Sequence, residues 1–196
     1  VLQMGIVNSD RVFKLLARDE AVPDEGKVDD WSPKGEIVFE GVWFAYEEER
    51  WVLEDVSFRI PPGEMVAFVG ATGAGKSTII NLLTRFYDHQ QGNIVIDGIN
   101  VRDIPLSTLR RHIGVVLQDV FLFSDNLANN VTLHNDSYSK SDLEAAALAV
   151  GATEFIAQLP EGWNQNVRER GAMLSVGQRQ LIAFMRAYLV APEILI

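Results

Sequence analysis

Met65 to Thr78 reads "MVAFVGATGAGKST". Five apolar residues lead into a turn that contains Gly70, Gly73 and Gly75 and ends on one cation and two hydroxyls, Lys76, Ser77 and Thr78. Gly70 to Ser77 fits the pattern G-x-x-x-x-G-K-[ST], which belongs between a strand and a helix. The flanks suit that setting. Met65–Val69 is apolar on both faces, which predicts a short central parallel strand covered on both sides. Beyond the turn, Ile79, Ile80, Leu82, Leu83 and Phe86 fall at helical spacing. Glycine lets the backbone of Gly70, Ala71, Thr72, Gly73, Ala74 and Gly75 curl, so that successive N–H groups point at one anion. The helix that starts there adds its positive end. Lys76 supplies a point charge for the β- and γ-phosphates of a nucleotide, and Ser77 supplies a hydroxyl for Mg²⁺.

The segments around this loop predict alternating strands and helices. Upstream, "EIVFEGVWFAY" (Glu36 to Tyr46) alternates and is rich in β-branched and aromatic residues, as a strand should be. "EEER" predicts a charged turn, "WVLEDVSFRI" a second strand and Pro61-Pro62-Gly63-Glu64 a tight turn. Before them, "RDEAVPDEGKVDDWSPKG" (residues 18–35) is acidic, rich in Pro and Gly, and has little to bury, so it predicts a linker. Val1 to about Ala17 predicts an amphipathic helix, with Val12, Leu15 and Leu16 on one side and Arg11, Lys14 and Arg18 on the other. Downstream, "GNIVIDGINV" predicts a strand pair turning at Asp97-Gly98. "STLRRHIGVVLQD" predicts a short helix and then a strand ending near Gln118. From about residue 120 to 185 the strand signal fades into a helical lobe, with a capping box at Ser141-Asp142-Leu143-Glu144. "VGQRQLIAFMRAYLV" predicts a last helix with Leu181, Ile182, Met185, Tyr188 and Leu189 on one side, stopped by Pro192.

Composition narrows the class. The 196 residues are 47% hydrophobic and carry a formal net charge of -10. A surface this acidic repels nucleic-acid phosphates, so no nucleic-acid partner is expected. There is no cysteine, which excludes disulfides and zinc thiolate sites. His89, His112 and His134 lack ligand spacing and read as solvated or half-buried surface residues. No run reaches the ~18 apolar residues of a membrane span, and the opening "VLQMGIVNSD" has no basic n-region, so the chain is expected to be soluble. It opens without Met, and "APEILI" begins a buried strand pattern at which the sequence stops, so both ends read as cut.

A second loop before a helix is "LSVGQ", Leu174 to Gln178. Ser175 and Gly177 sit where N-cap chemistry belongs, so this helix start could also hold an anion; a plain capped helix is the alternative. Two anion-seeking helix starts in one chain call for a joint explanation. With three further segments they resemble the nucleotide-binding domain of an exporter-type ATP-binding cassette (ABC) transporter. Tyr46, in "VWFAYEEERWVL", resembles the aromatic that stacks on adenine, and "GATGAGKST" the Walker A loop. Gln118, in "GVVLQD", resembles the Q-loop glutamine. "VRERG", Val167 to Gly171, resembles the exporter segment before the signature motif, and "LSVGQ" that motif itself, with Val176 in place of the usual glycine.

The resemblance covers Glu36 to the end, with Val1 to Arg18 similar to the helix leaving a last transmembrane segment. It implies an α/β fold. A P-loop NTPase core with a mostly parallel central sheet would carry an N-terminal antiparallel β subdomain and an α-helical signature lobe. It implies ATP with Mg²⁺ between two such domains arranged head to tail, on the cytoplasmic face of a membrane. One domain would offer Tyr46, Gly70 to Thr78 and Gln118, with Lys76 and Gln118 serving catalysis and Ser77 and Gln118 serving the metal. The other would offer Ser175, Gly177 and Gln178 to the γ-phosphate. Glu169 and its neighbours would face the transmembrane domain. In the family the strand beginning "ILI" continues to the Walker B aspartate and the catalytic glutamate, with a switch histidine further on. These are not in the sequence, so the 196 residues alone are expected to be inactive. Asp119, Asp125 and Glu193 carry no motif that makes them substitutes. A non-hydrolysing half of a heterodimer and a soluble ABC ATPase remain as alternatives.

Overall fold

The computed structural model describes residues 2–17, 22–28, 30–47 and 50–196. In chain order the elements are α1 (Leu2–Leu16), β1 (Ile37–Ala45), β2 (Trp51–Ile60), α2 (Lys76–Leu83), β3 (Gln91–Ile96), β4 (Ile99–Asn100), α3 (Leu106–His112) and β5 (Ile113–Gly114). Then come α4 (Leu127–Thr132), α5 (Lys140–Ala149), α6 (Thr153–Ala157), α7 (Val176–Val190) and β6 (Ile194–Leu195).

Alternation in β1 buries Ile37 and Phe39, and a β-bulge around Gly41 shifts the parity so that Val42 and Phe44 face the same core. The strand pairs antiparallel with β2 on one edge and β3 on the other, giving the order β2-β1-β3-β4. Ile37 faces Ile60 across one ladder and Ile96 across the other. Phe39 stacks on Phe58 at 4.5 Å. The β3–β4 turn forms at the expected dipeptide, with Asp97 and Gly98 both at positive φ (48° and 80°). The Asp97 carboxylate then accepts from the backbone N–H groups of Lys34, Gly35 and Glu36, pinning the chain where it enters β1.

The helical lobe has its own core. Leu122, Leu127, Val131, Ala146, Val167, Ile182 and Met185 pack together, and α7 contacts both α4 and α5. The mixed α/β architecture, the antiparallel subdomain and the lobe agree with the sequence reading.

The parallel part differs. Among the described residues the only parallel ladder is β5 with β6, pairing Ile113 with Ile194 and Gly114 with Leu195. Two more bonds, Val116 N–H to Ile196 O and Ile196 N–H to Gly114 O, extend it. Met65–Val69, expected as a covered central strand, is not a strand, and Met65 and Val69 are 99% and 94% exposed. Apolarity alone does not make a strand; a ladder partner is required. Ile194–Ile196 instead line, with Met65, Val66 and Phe68, one hollow of about 560 Å³.

Smaller expectations also shift. Residues 18–21 and 29 of the expected linker, and 48 and 49 of the charged turn, lie outside the described residues. The rest of the linker does bury surface. Trp31 is 6% exposed and packs edge-on against His112 at 5.4 Å. Pro23 O accepts from Arg85, and Asp103 O accepts from the N–H groups of Lys27 and Val28. The apolar stripe of α1, by contrast, leaves Val12, Leu15 and Leu16 exposed.

The capping box of α5 uses Ser139 and Asp142 instead of Ser141 and Glu144, because the aspartate at the third helical position reaches back to the Ser139 N–H at 2.7 Å. α2 stops at Leu83, so Phe86 lies beyond it, exposed under the Arg110 guanidinium. On α7, Ile182 and Met185 are buried as expected but Tyr188 is exposed. His89 is no surface residue: it is 3% exposed and bonds Gly92 O, and burial lowers its pKa.

Candidate functional site

The loop Gly70–Gly75 has the backbone that its glycines predict. Gly73 and Gly75 sit at φ 86° and 83°, in the left-handed region where side chains are strained. Gly75 is required twice over. A Cβ there would stand 2.6 Å from Leu53 Cδ2, so glycine also lets the loop press onto β2. α2 starts at the next residue, its first N–H groups free to face an anion. Lys76 Nζ donates to Gly70 O and Ala71 O, both at 2.8 Å, so the ammonium is held over the loop's own carbonyls. Ala71, Thr72, Ala74 and Ser77 are exposed; Thr78 is buried.

Tyr46 stands at the end of β1, beside this helix start. Its hydroxyl lies 3.2 Å from Thr78 Oγ1, and Asn81 Nδ2 donates to it at 3.1 Å. Its ring meets Phe44 and Tyr87 edge-on at 4.7 and 5.0 Å and remains 46% exposed. Nearby, Trp43 and Trp51 pack edge-on against each other at 5.3 Å. The fold therefore gathers Tyr46, Lys76, Ser77 and Thr78. Asn81 was not foreseen, although its place three residues after Thr78 on a helix puts it on the same side.

Ser175 caps α7. Its hydroxyl accepts from the Gln178 N–H at 3.2 Å, and the Gln178 side chain accepts from the Ser175 N–H at 2.9 Å. This is a full capping box. Ser175, Val176 and Gly177 are exposed. Neither a positive φ nor internal packing requires glycine at 177, since an added Cβ would meet nothing within 4 Å. Arg179, also unforeseen, ties the preceding loop down through Leu174 O at 2.8 Å.

Gln118 is exposed and lines a cleft of about 540 Å³ with Asp119, Phe121, Arg170, Val176 and Arg179. The structure thus brings Gln118 beside the start of α7, and no hydrogen bond among the described residues joins it to Ser77 or Lys76. Two of the three carboxylates near these segments are engaged. Asp125 accepts from Asn126 and Asn129, which hold its carboxyl below the ordinary value. Glu193 pairs with His112 at 2.7 Å, and that hydrogen bond lowers its pKa. Among the described residues no group of three or more His, Cys, Asp or Glu is placed to hold a metal. No helix among them is long and apolar enough to cross a membrane.

The ABC transporter family model matches residues 53–196. The chain is 46% identical over 196 residues to an ABC transporter ATP-binding protein of Bacillus subtilis, covering 100% of this chain and 32% of that protein. It is 45% identical over 197 residues to the ATP-dependent lipid A-core flippase of Pseudomonas fluorescens, covering 100% and 33%. Among solved structures it is similar to a bacterial Atm1-family ABC exporter with ATP bound, with TM-score 0.86 and 36% identity over 98% of this chain and 34% of that one. The chain spans about a third of the length of each of these proteins.

Proposed function

The chain belongs to the ABC transporter family, and from that membership we propose that it is the ATP-binding motor domain of an exporter, coupling ATP binding and hydrolysis to passage of a substrate across a membrane. The observation that carries this reading is the helix start at Lys76, where a glycine loop, an ammonium and a hydroxyl converge. Lys76 exchanges a carbonyl contact for the β- and γ-phosphate oxygens. The N–H groups of Gly73 to Ser77 close on the phosphates, and Tyr46 takes the base on its exposed ring surface.

The donor set suits Mg²⁺, a hard cation that takes oxygen ligands and keeps several waters. Ser77 would offer it one neutral oxygen and the phosphates the charge, and Gln118, which lies beside the start of α7, would offer a second oxygen once brought to Ser77. When bound, the cation neutralises charge on the transferring phosphoryl group.

The second helix start serves the same ligand from another copy. Ser175, Gly177 and Gln178 face the γ-phosphate of ATP held by a second nucleotide-binding domain, head to tail. The exposure of Ser175 and Gly177 and the open space over Gly177 support that reading. Val176 does not obstruct it, because the Ser175 hydroxyl and the Gly177 backbone stay in place. α1 continues the last membrane helix on the cytoplasmic face, and Glu169, exposed on its loop, meets the transmembrane domain.

Lys76→Ala tests the central claim. Loss of a charge-assisted contact weakens ATP binding by about 1.5–3 kcal/mol, measured by calorimetry on folded protein. Equal affinity for the variant and the parent refutes the assignment.

A further inference from the structure

We infer that Asn81 is a positioning residue for the nucleotide base, fixing the Tyr46 ring on the same helix whose first residues hold the phosphates. The inference rests on the reading of Gly70–Thr78 as the nucleotide loop. Tyr46 is the first residue past β1, so the sheet ladder no longer sets its direction. Its ring orientation must come from side-chain partners, since the terminal torsion of a tyrosine is broad.

Two of those partners lie on α2. Asn81 donates to the Tyr46 hydroxyl at 3.1 Å, and Thr78 Oγ1 lies 3.2 Å from the same oxygen. With the Asn81 amide donating, the phenol oxygen is free to give its own hydrogen to Thr78. Thr78 is buried, so one anchor is rigid, while Asn81 is half-buried at the rim. Phe44 and Tyr87 hold the ring edge-on from the sheet side. The result is a chain of contacts, Asn81 to Tyr46 to Thr78, that ties the surface offered to the base to the helix offered to the phosphates. Asn81 does not touch the ligand in this arrangement; it acts through Tyr46.

The test separates base from phosphate. ATP, and inorganic tripolyphosphate as a probe without a base, are titrated calorimetrically into parent, Asn81→Leu, Tyr46→Phe and the double variant. Leucine keeps the volume and removes the amide; phenylalanine keeps the ring and removes the hydroxyl. Each single change weakens ATP by about three- to tenfold, the range expected for one hydrogen bond, and leaves tripolyphosphate affinity unchanged. The double variant is no weaker than the worse single, because both remove the same contact.

Unchanged ATP affinity in Asn81→Leu overturns the inference. So does an equal loss for both ligands, which places the effect in the loop, and so do losses that multiply in the double variant. Should Asn81→Leu fold poorly, Asn81→Ala removes the same amide and is read against the same outcomes, while Tyr46→Phe removes that contact together with the one to Thr78. Failure of the underlying assignment shows separately, as tripolyphosphate affinity that Lys76→Ala does not change.

Discussion

Arg168 holds a backbone conformation that its residue type disfavours. It sits at φ 62°, ψ 179°, a region occupied essentially by glycine. Buried Val167 on one side and Gly171 on the other fix the loop there; a Cβ on Gly171 would stand 2.5 Å from Leu122. The Arg168 N–H is further tied to Asn166 Oδ1 at 2.8 Å. Strain of this kind costs about 1–3 kcal/mol, and the extra freedom of an unfolded glycine offsets up to about 1 kcal/mol of the relief. Arg168→Gly is therefore expected to stabilise the chain by about 1 kcal/mol. Urea unfolding checks it: the midpoint rises while the slope stays constant, and an unmoved or lower midpoint contradicts the strain. None of this was legible in "VRERG", where the residue names give charge and no dihedral. The loop at Gly70–Gly75 was legible, because there the glycines themselves report the positive φ that the backbone needs.

The elements read best from sequence were those whose pattern also named a partner or a terminus. β1 alternated and found two neighbours, α7 carried its own cap and its stopping proline, and Asp97-Gly98 fixed the β3–β4 turn. Met65–Val69 was misread because an apolar run does not say which strand it will pair with. The join between α3 and β6 was not readable either, since its partners lie 81 residues apart. His112, the last residue of α3, bonds Glu193 just before β6, with Trp31 against the imidazole. That bond lowers the Glu193 pKa from its ordinary value of 4.5. A carboxyl with a depressed folded pKa adds stability that is complete above the ordinary value. The contribution is lost as pH falls through the lower folded value, because there the unfolded chain binds more protons. The stability difference between parent and Glu193→Gln should be flat above about pH 4.5 and shrink in more acid solution. The effect is small and weakens with salt, as the carboxylate is partly solvated. Chemical unfolding at a series of pH values reads it. A difference that grows toward acid reverses the sign and removes the clasp.

At the scale of the whole molecule two features oppose each other. The formal net charge of -10 keeps copies apart, while the surface exposes apolar side chains in quantity. Met65 and Val69 are almost fully exposed, and Phe68 and Leu195 beside the same hollow are also open. Backbone without ladder partners next to apolar side chains is a template for pairing with other chains. Like-charge repulsion between copies acts over about 10 Å at 0.1 M salt and over about 3 Å at 1 M, whereas apolar contact does not weaken with salt. Self-association of the 196-residue chain should therefore rise with ionic strength. The double replacement Met65→Glu with Val69→Glu should suppress it, since both side chains point into solvent and their loss removes no core contact. Static light scattering between 0.05 and 1 M salt, at about neutral pH, gives the measurement. Urea unfolding beside it is expected to keep the unfolding free energy within about 0.5 kcal/mol of the parent's, the usual range for surface changes. Scattering that falls with salt makes charge pairing the cause of association. A double variant that associates as the parent does moves the sticky surface elsewhere, to the exposed Phe13, Leu15 and Leu16 of α1.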